Sequence, residues 1–173
     1  MIEFRMNGQR YIRTDNGWTD IFYQPVTMEL GEQLEKQYAD SLDLSTCSVA
    51  ELATRADGFR TAGAYYLAAR YYRTAVLRAD AAQCRVLFPG MAYCFRKLHQ
   101  PGDVLRVLNY IRKRFNMQTL SPVYLTPAAE AYCDLGQYDM AEKCARLAAA
   151  GSYGSPSPEL TEVQERIKRE RHP

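Results

Sequence analysis

The sequence is poor in the residues and motifs that most often carry catalysis or bind metals. It holds only two histidines, His99 and His172, and its five cysteines include no Cys-x-x-Cys pair. It also lacks a glycine-rich motif that would cradle phosphate groups. These absences argue against a structural zinc site, a disulfide framework and a Cys–His nucleophile. We therefore expect a protein that is not an enzyme, with no catalytic residues, no metal site and no cofactor.

Long hydrophobic segments are missing as well. No apolar run approaches the roughly 20 residues that a membrane-spanning helix needs. The N-terminus, residues 1–5, lacks the basic start and apolar stretch of a secretion signal. Scattered cysteines in odd number are typical of small buried side chains in a reducing compartment. The sequence therefore predicts a cytoplasmic protein that does not enter a membrane.

Charge is present in near balance but is unevenly distributed. The net charge is +2 over 173 residues, yet residues 1–47 carry −4, residues 48–120 carry +8 and residues 121–156 carry −2. An acidic head and a basic middle can attract one another within the molecule. The basic middle can equally attract an acidic partner.

The first 25 residues have the pattern of a small β-meander. Ile2, Phe4 and Met6 alternate with polar residues, as in a half-buried strand. Turn signals follow at Asn7-Gly8 and around residues 15–17, because asparagine and glycine tolerate positive φ angles. A meander of this size is marginal alone, so we expect it to pack against a helical segment. Residues 26–47 supply such a helix, with Thr27 as its N-cap, and a connector.

From residue 48 onwards the apolar pattern repeats with a period of 36 to 37 residues. Ser48 and Glu51 have capping-box spacing, which starts the first helix of the series. Gly63 and Gly136 are placed to end the first helix of their units. Each unit is therefore predicted to be two helices around a turn. The aligned positions are Leu52, Phe88 and Leu125; Phe59, Phe95 and Tyr132; Ala68, Val104 and Ala141; Tyr72, Leu108 and Ala145; and Ala75, Ile111 and Ala148.

These units resemble tetratricopeptide repeats, in about three copies over residues 49–152. The best copy reads Ala128-Ala129-x2-Tyr132-x2-Leu135-Gly136-x-Tyr138-x2-Ala141. In the middle copy Pro101-Gly102 is expected to fill the turn, and Val104 replaces a small alanine.

The resemblance implies an all-α helical-repeat fold in which residues 48–152 form three stacked helical hairpins. A linker and a capping helix would follow within residues 153–173. Ser157-Pro158 is a strong start for that helix, since serine is a good N-cap and proline suits the first turn.

In tetratricopeptide proteins the first helix of each pair lines a concave groove, so the resemblance implies that a partner binds there. We expect a non-catalytic adaptor, scaffold or chaperone-like module that holds a peptide or helix of another protein. Arginines and a lysine of the groove would contact acidic groups of that partner, and a groove tyrosine would provide a flat anchor. The candidate groove residues are Asp57, Arg60, Tyr93, Arg96, Lys97, Glu130 and Asp134.

One family activity does not carry over to this sequence. Members that bind chaperone tails use lysine and asparagine at set groove positions. None of the matching residues here fits that role. They are Ala53, Asp57, Gly90, Val123 and Pro127.

Three alternatives stay open at this point. A generic bundle of antiparallel helical pairs would give a similar periodicity. An uncovered edge strand of the meander would allow a homodimer. A nucleic-acid-binding accessory protein would use basic residues with interleaved aromatics on the second helices. Those residues are Arg70, Arg73, Arg78, Arg106, Arg112, Lys113 and Arg114, with Tyr71, Tyr72, Tyr110 and Phe115.

Overall fold

Helical pairs make up most of the protein, as a computed structural model of residues 2–152 and 154–171 describes it. Four residues lie outside the described residues: Met1 of the expected meander, and Tyr153, His172 and Pro173 of the expected linker and capping helix. The elements in chain order are β1 (Ile2–Met6), β2 (Gln9–Thr14), β3 (Gly17–Thr19), α1 (Met28–Ser41), α2 (Val49–Thr61), α3 (Tyr65–Arg78), α4 (Ala81–Lys97), α5 (Pro101–Arg114), α6 (Pro122–Asp134), α7 (Tyr138–Ala150) and α8 (Pro158–Arg171).

The predicted N-terminal meander is confirmed. The strands form an antiparallel sheet in the order β1-β2-β3, with Phe4 opposite Tyr11 and Arg13 opposite Trp18. Asn7 and Gly8 both take positive φ angles, 51° and 82°, as a tight two-residue hairpin turn requires. At the far edge Val26 donates its N–H to the Trp18 carbonyl at 3.2 Å, so the segment after β3 covers the outer side of that strand.

A partly buried carboxylate fastens the sheet to α1. Glu35 of α1 accepts hydrogen bonds from the Trp18 indole at 2.7 Å and from two nitrogens of Arg13, each at 2.9 Å. Its side chain is only 14% exposed. Around this group Leu34 packs with the apolar residues of the sheet. Tyr38, one turn further on, contacts both this small core and the main core, and so joins the meander to the repeats.

The three helical pairs α2/α3, α4/α5 and α6/α7 stack in the register that the sequence predicted. Thirteen of the fifteen aligned positions are buried, and Phe59 and Tyr132 are partly buried. One core runs through the first two pairs and continues into α6, and a second core joins the third pair to α8. Leu160, Val163 and Ile167 of α8 are the stripe that closes this second core. The helical-repeat fold is therefore confirmed, because each pair buries the apolar face that its neighbour exposes.

Each first helix ends in the same way. The residues at the turn, Gly63, His99 and Gly136, have φ angles of 75°, 56° and 69°. The next residue donates its N–H to the carbonyl five positions back, which satisfies a carbonyl that the helix end leaves free. These bonds run from Ala64 to Phe59 at 2.9 Å, from Gln100 to Phe95 at 2.8 Å and from Gln137 to Tyr132 at 2.8 Å.

The expectation that Pro101-Gly102 fills the middle turn is wrong. The turn consists of residues 98–100, and Pro101 is the first residue of α5. Proline suits that position because the first helical N–H has no partner inside the helix and because its φ angle is already helical. The middle unit therefore has the same turn as its neighbours, with His99 where they have glycine.

His99 provides a test of this shared turn. Because a side chain is strained at a positive φ angle, we expect His99→Gly to raise the free energy of unfolding by roughly 0.5–1 kcal/mol. Urea denaturation followed by circular dichroism measures this. Gly136→Ala is the matched control and should lose about 1 kcal/mol. A lower midpoint for His99→Gly would show that the imidazole stabilises the turn by more than its backbone strain costs.

The carboxylate that fastens the meander provides a second test. Glu35→Ala leaves the Trp18 indole and the Arg13 guanidinium without their acceptor, so we expect a loss of about 2 kcal/mol. Trp18 is the single tryptophan, and its fluorescence should shift to the red as water reaches it. Glu32→Ala, an exposed acidic position on the same helix, should change neither quantity. Equal effects from both variants would contradict the proposed fastening.

Candidate functional site

The first helices α2, α4 and α6 form one side of the stack, which we call the first-helix face. Helix α4 packs closely along α6 but approaches α2 over a much shorter length. The space between α2 and α4 is a cavity of about 380 Å³, which we call the α2/α4 groove. Val86 is 79% exposed and Tyr93 41% exposed on its α4 side. The full lining is Ala53, Asp57, Arg60, Tyr72, Val86, Leu87, Pro89, Gly90 and Tyr93.

A polar cluster closes the floor of the groove. The Tyr72 hydroxyl donates to Asp57 at 2.5 Å, and Arg60 donates to the same hydroxyl at 3.2 Å and to Asp57 at 3.3 Å. Burial, together with the bond to Asp57, raises the pKa of Tyr72, so the hydroxyl stays protonated. A Cβ at Gly90 would lie within 2.4 Å of the Tyr72 hydroxyl oxygen. Glycine at this point of α4 therefore gives the tyrosine its space.

Aromatic side chains lie at one end of the groove. The rings of Tyr93 and Tyr65 meet edge to face with their centroids 6.0 Å apart. A hydrogen bond shared with Tyr93 raises the pKa of Tyr65. The Lys97 ammonium lies 5.4 Å from the centre of the Tyr93 ring and makes no ion pair within the described residues. This end of the groove thus offers an aromatic ring and a positive charge that no carboxylate among the described residues neutralises.

The other side of α4 is tied to α6 and α8 by a chain of ion pairs. Arg96 contacts Glu130 at 2.8 Å and Asp134 at 2.6 Å. Arg166 of α8 then contacts Asp134 at 2.6 Å and Glu170 at 2.8 Å. The three carboxylates that Arg96 and Arg166 link are between 22% and 30% exposed, and both arginines lie in the same range. These partly shielded contacts hold three helices in register across the first-helix face.

The two α6 carboxyls of this chain respond oppositely to folding. Burial raises the pKa of Glu130 above its usual value, although Arg96 opposes the shift. Burial also acts to raise the pKa of Asp134, but hydrogen bonds from Arg96 and Arg166 lower it below the usual value. Asp134 is thus the carboxyl whose negative charge the structure stabilises.

The seven predicted groove residues fall into two groups. Asp57, Arg60, Tyr93 and Lys97 lie in or beside the α2/α4 groove. The other three lie in the ion-pair chain, where Arg96 already has two carboxylate partners from α6. Sequence reasoning did not place Tyr72 or Arg166 at this surface, since no local pattern shows that residues 12 to 38 positions apart meet there.

A larger cleft of about 720 Å³ separates the meander from the first two repeats. Trp18 and the Arg13–Glu35 pair lie on its N-terminal side, and Tyr65 and Lys97 lie on its repeat side. Tyr65 and Lys97 also flank Tyr93, so the cleft and the α2/α4 groove meet at these two side chains. The sequence held no signal for this cleft, because it depends on how α1 sits against α3.

Some basic residues of the second helices donate hydrogen bonds to backbone carbonyls of the chain itself. Arg78 donates to the carbonyls of residues 44, 45 and 47 at 2.9 to 3.3 Å, and Arg114 donates to those of Val76 and Leu77 at 3.0 Å. Tyr71 and Tyr72 are buried. Of the residues that suggested nucleic-acid binding, these four therefore stabilise the repeats instead of presenting charge or rings to solvent.

All five cysteines are free thiols, and four of them have little nucleophilic character. Burial raises the pKa of Cys94 to about 12 and also raises that of Cys84, Cys133 and Cys144. They remain protonated and pack as small apolar side chains. Within residues 2–152 and 154–171 there is no group of three or more potential metal ligands.

Comparisons with known proteins add no family assignment. No protein-family model matches the chain, and no curated protein is similar to it. Among the described residues no helix is both long and apolar enough to span a lipid bilayer.

The opposite pKa shifts in the ion-pair chain give a pH-dependent prediction. Because folding lowers the pKa of Asp134, its carboxylate stabilises the protein above the unfolded pKa, and that contribution disappears as the pH falls through the folded pKa. We expect Asp134→Asn to lose about 1–2 kcal/mol near pH 7 and to approach wild type in acid. Urea denaturation at a series of pH values measures the difference.

Glu130→Gln is the matched control for this experiment. Folding raises the pKa of Glu130, so its contribution is largest at low pH and is lost as the pH rises through the folded pKa. Near pH 7 the amide should therefore cost less than Asp134→Asn does. A larger loss for Glu130→Gln than for Asp134→Asn at neutral pH would contradict the assignment.

Proposed function

We propose that this protein is a non-catalytic interaction module of the tetratricopeptide type that binds a peptide or helix of another protein in the α2/α4 groove. The observation that carries the proposal is the exposed apolar wall of Val86, Pro89 and Tyr93 beside a closed polar floor. Val86 is 79% exposed although it lies on a helix that is otherwise well packed. An apolar side chain of a partner would remove this surface from water.

The polar groups around the groove favour a particular partner. Arg60 is held by Tyr72 and Asp57, so its charge is fixed in place, and Lys97 lacks a carboxylate within the described residues. A partner segment that places an apolar residue on Val86 and an acidic residue near Lys97 fits both features. Arg96 contributes differently from the expectation in the sequence, since it sets the position of α4 through Glu130 and Asp134.

Two further features support this reading. The repeat register is consistent with the tetratricopeptide resemblance, and the three units share one turn geometry, which the sequence did not lead us to expect for the middle unit. Free cysteines fit a reducing compartment, and we place the protein in the cytoplasm on that ground. Nucleic-acid binding receives less support, because Arg78, Arg114 and two tyrosines of the basic segment serve the fold.

Capture of partners from the native cell lysate tests the groove. We expect Val86→Glu to reduce the amount of the principal captured proteins about tenfold, because a charge would be buried against an apolar anchor. Lys97→Glu should give a smaller loss that shrinks at high salt. Quantitative mass spectrometry of the captured proteins provides the measurement.

Lys168→Glu is the control, since it reverses one exposed charge on α8, away from the groove. It should leave the captured proteins unchanged. If Val86→Glu captured the same proteins in the same amounts as wild type, the α2/α4 groove would not be the binding site. Circular dichroism of each variant shows whether the fold is kept.

A further inference from the structure

A short loop after β3 presents large apolar side chains to solvent. We call residues 20–24 the apolar loop. Phe22 is 74% exposed, Ile21 is 45% exposed and Tyr23 is 56% exposed. Met28, at the start of α1, is 84% exposed and extends the same N-terminal region. Four large apolar side chains within eight residues form an unusually apolar surface for a protein of this size.

The apolar loop is held in one conformation. Asp20 accepts hydrogen bonds on one carboxylate oxygen from the N–H groups of Phe22 at 2.8 Å and Gln24 at 2.9 Å. Its own N–H donates to the Gln24 carbonyl at 2.9 Å. Thr19 and Pro25 form a bridge that closes the base of the loop. Since the loop is already ordered, docking it costs little conformational entropy.

The charges around the apolar loop restrict what can cover it. Between Thr14 and Glu35 the sequence holds four acidic residues and no lysine or arginine. An anionic membrane or a nucleic acid would be repelled from such a region. A protein surface with an apolar depression and basic residues at its rim is complementary to it.

Such a surface exists on this chain, with residues of α5, α6 and α7 in its lining. The α5/α7 groove is a depression of about 340 Å³ between the second helices of the last two units. Met140 is 41% exposed and Leu147 is 52% exposed along it. Its charged lining residues are Arg112 and Lys143, and no acidic residue lines it among the described residues.

The apolar loop does not fill this groove within one molecule. Of the N-terminal elements, only α1 packs against the repeats, and it packs against α3. The sheet has no backbone packing with α5 or α7 in the described residues. The two complementary surfaces therefore do not meet within one molecule.

We propose that copies of this chain associate head to tail, with the apolar loop of one copy in the α5/α7 groove of the next. The contact joins two different surfaces, so each dimer retains one free loop and one free groove, on different copies, and longer chains can form. One loop in one groove buries less surface than a stable dimer needs, which makes the association weak and concentration-dependent. The proposal does not depend on partner binding in the α2/α4 groove.

Sedimentation velocity on the full chain over a wide concentration range tests the proposal. The average mass of wild type should rise with concentration. Phe22→Asp and Leu147→Asp should each sediment as a monomer, since each removes one of the two surfaces at an exposed position. An equimolar mixture of the two variants should form a one-to-one dimer and nothing larger, because one variant retains the groove and the other retains the loop.

Leu77→Asp is the matched control. Leu77 is 51% exposed on α3, in a neighbouring groove that also carries arginines, and this variant should associate like wild type. A second control, Val86→Glu, should also associate normally even though it is expected to lose partner binding. A wild-type mass that does not change with concentration would overturn the proposal. So would association that survives Phe22→Asp, that is lost in Leu77→Asp, or that the mixture fails to restore.

Discussion

Each helical pair of this protein has an apolar face that it cannot bury alone, and the rest of the structure depends on how that face is covered. The second helices supply small or branched residues such as Ala68, Val104 and Ala141 at the point of closest contact, and all three are fully buried. Small side chains let helices approach, and the aromatics beyond them fill the space that remains. Helix α8 covers the third pair with a single apolar stripe, and its charged residues face water.

The two gaps between the first helices are treated differently, and this difference creates the candidate site. Between α4 and α6 the gap is closed by Arg96 and its two carboxylates, which reach Arg166 on α8. Between α2 and α4 the floor of the gap is formed by Tyr72, which needs the space beside Gly90. The mouth of that gap, beside Val86 and Tyr93, stays open and apolar. The ion pairs thus fix one wall of a groove to which they do not themselves belong.

The N-terminal meander packs beside the repeats and adds two surface features, a cleft and an apolar loop. It is fastened to α1 through Glu35, and α1 lies on α3 through a core that Tyr38 shares. As a result a cleft opens beside Tyr65 and Lys97. The apolar loop that follows β3 exposes its large side chains to water. The N-terminal segment therefore provides both an extension of the groove and a separate apolar surface.

Much of the fold was accessible from local patterns, because helix caps, turns and apolar periodicity act over a few residues. Ser48 with Glu51, Thr27 and Ser157 start helices as predicted. The middle turn was misjudged, since Pro101 signals both a turn and a helix start. The candidate site was accessible only in part. Tyr93 and Lys97 follow from their place on a first helix, whereas the pairing of Arg96 with Asp134 spans 38 positions.

The sequence by itself determined the meander, the number of helical pairs, their register and the helix that ends the stack. Each of these follows from side-chain spacing along one strand or helix, which the backbone geometry converts directly into a buried face. The tertiary structure alone decided which charges are paired, which gap between helices stays open and which apolar residues remain in water. Those outcomes depend on distances between elements that are far apart in the chain, and such distances are set only when the cores pack.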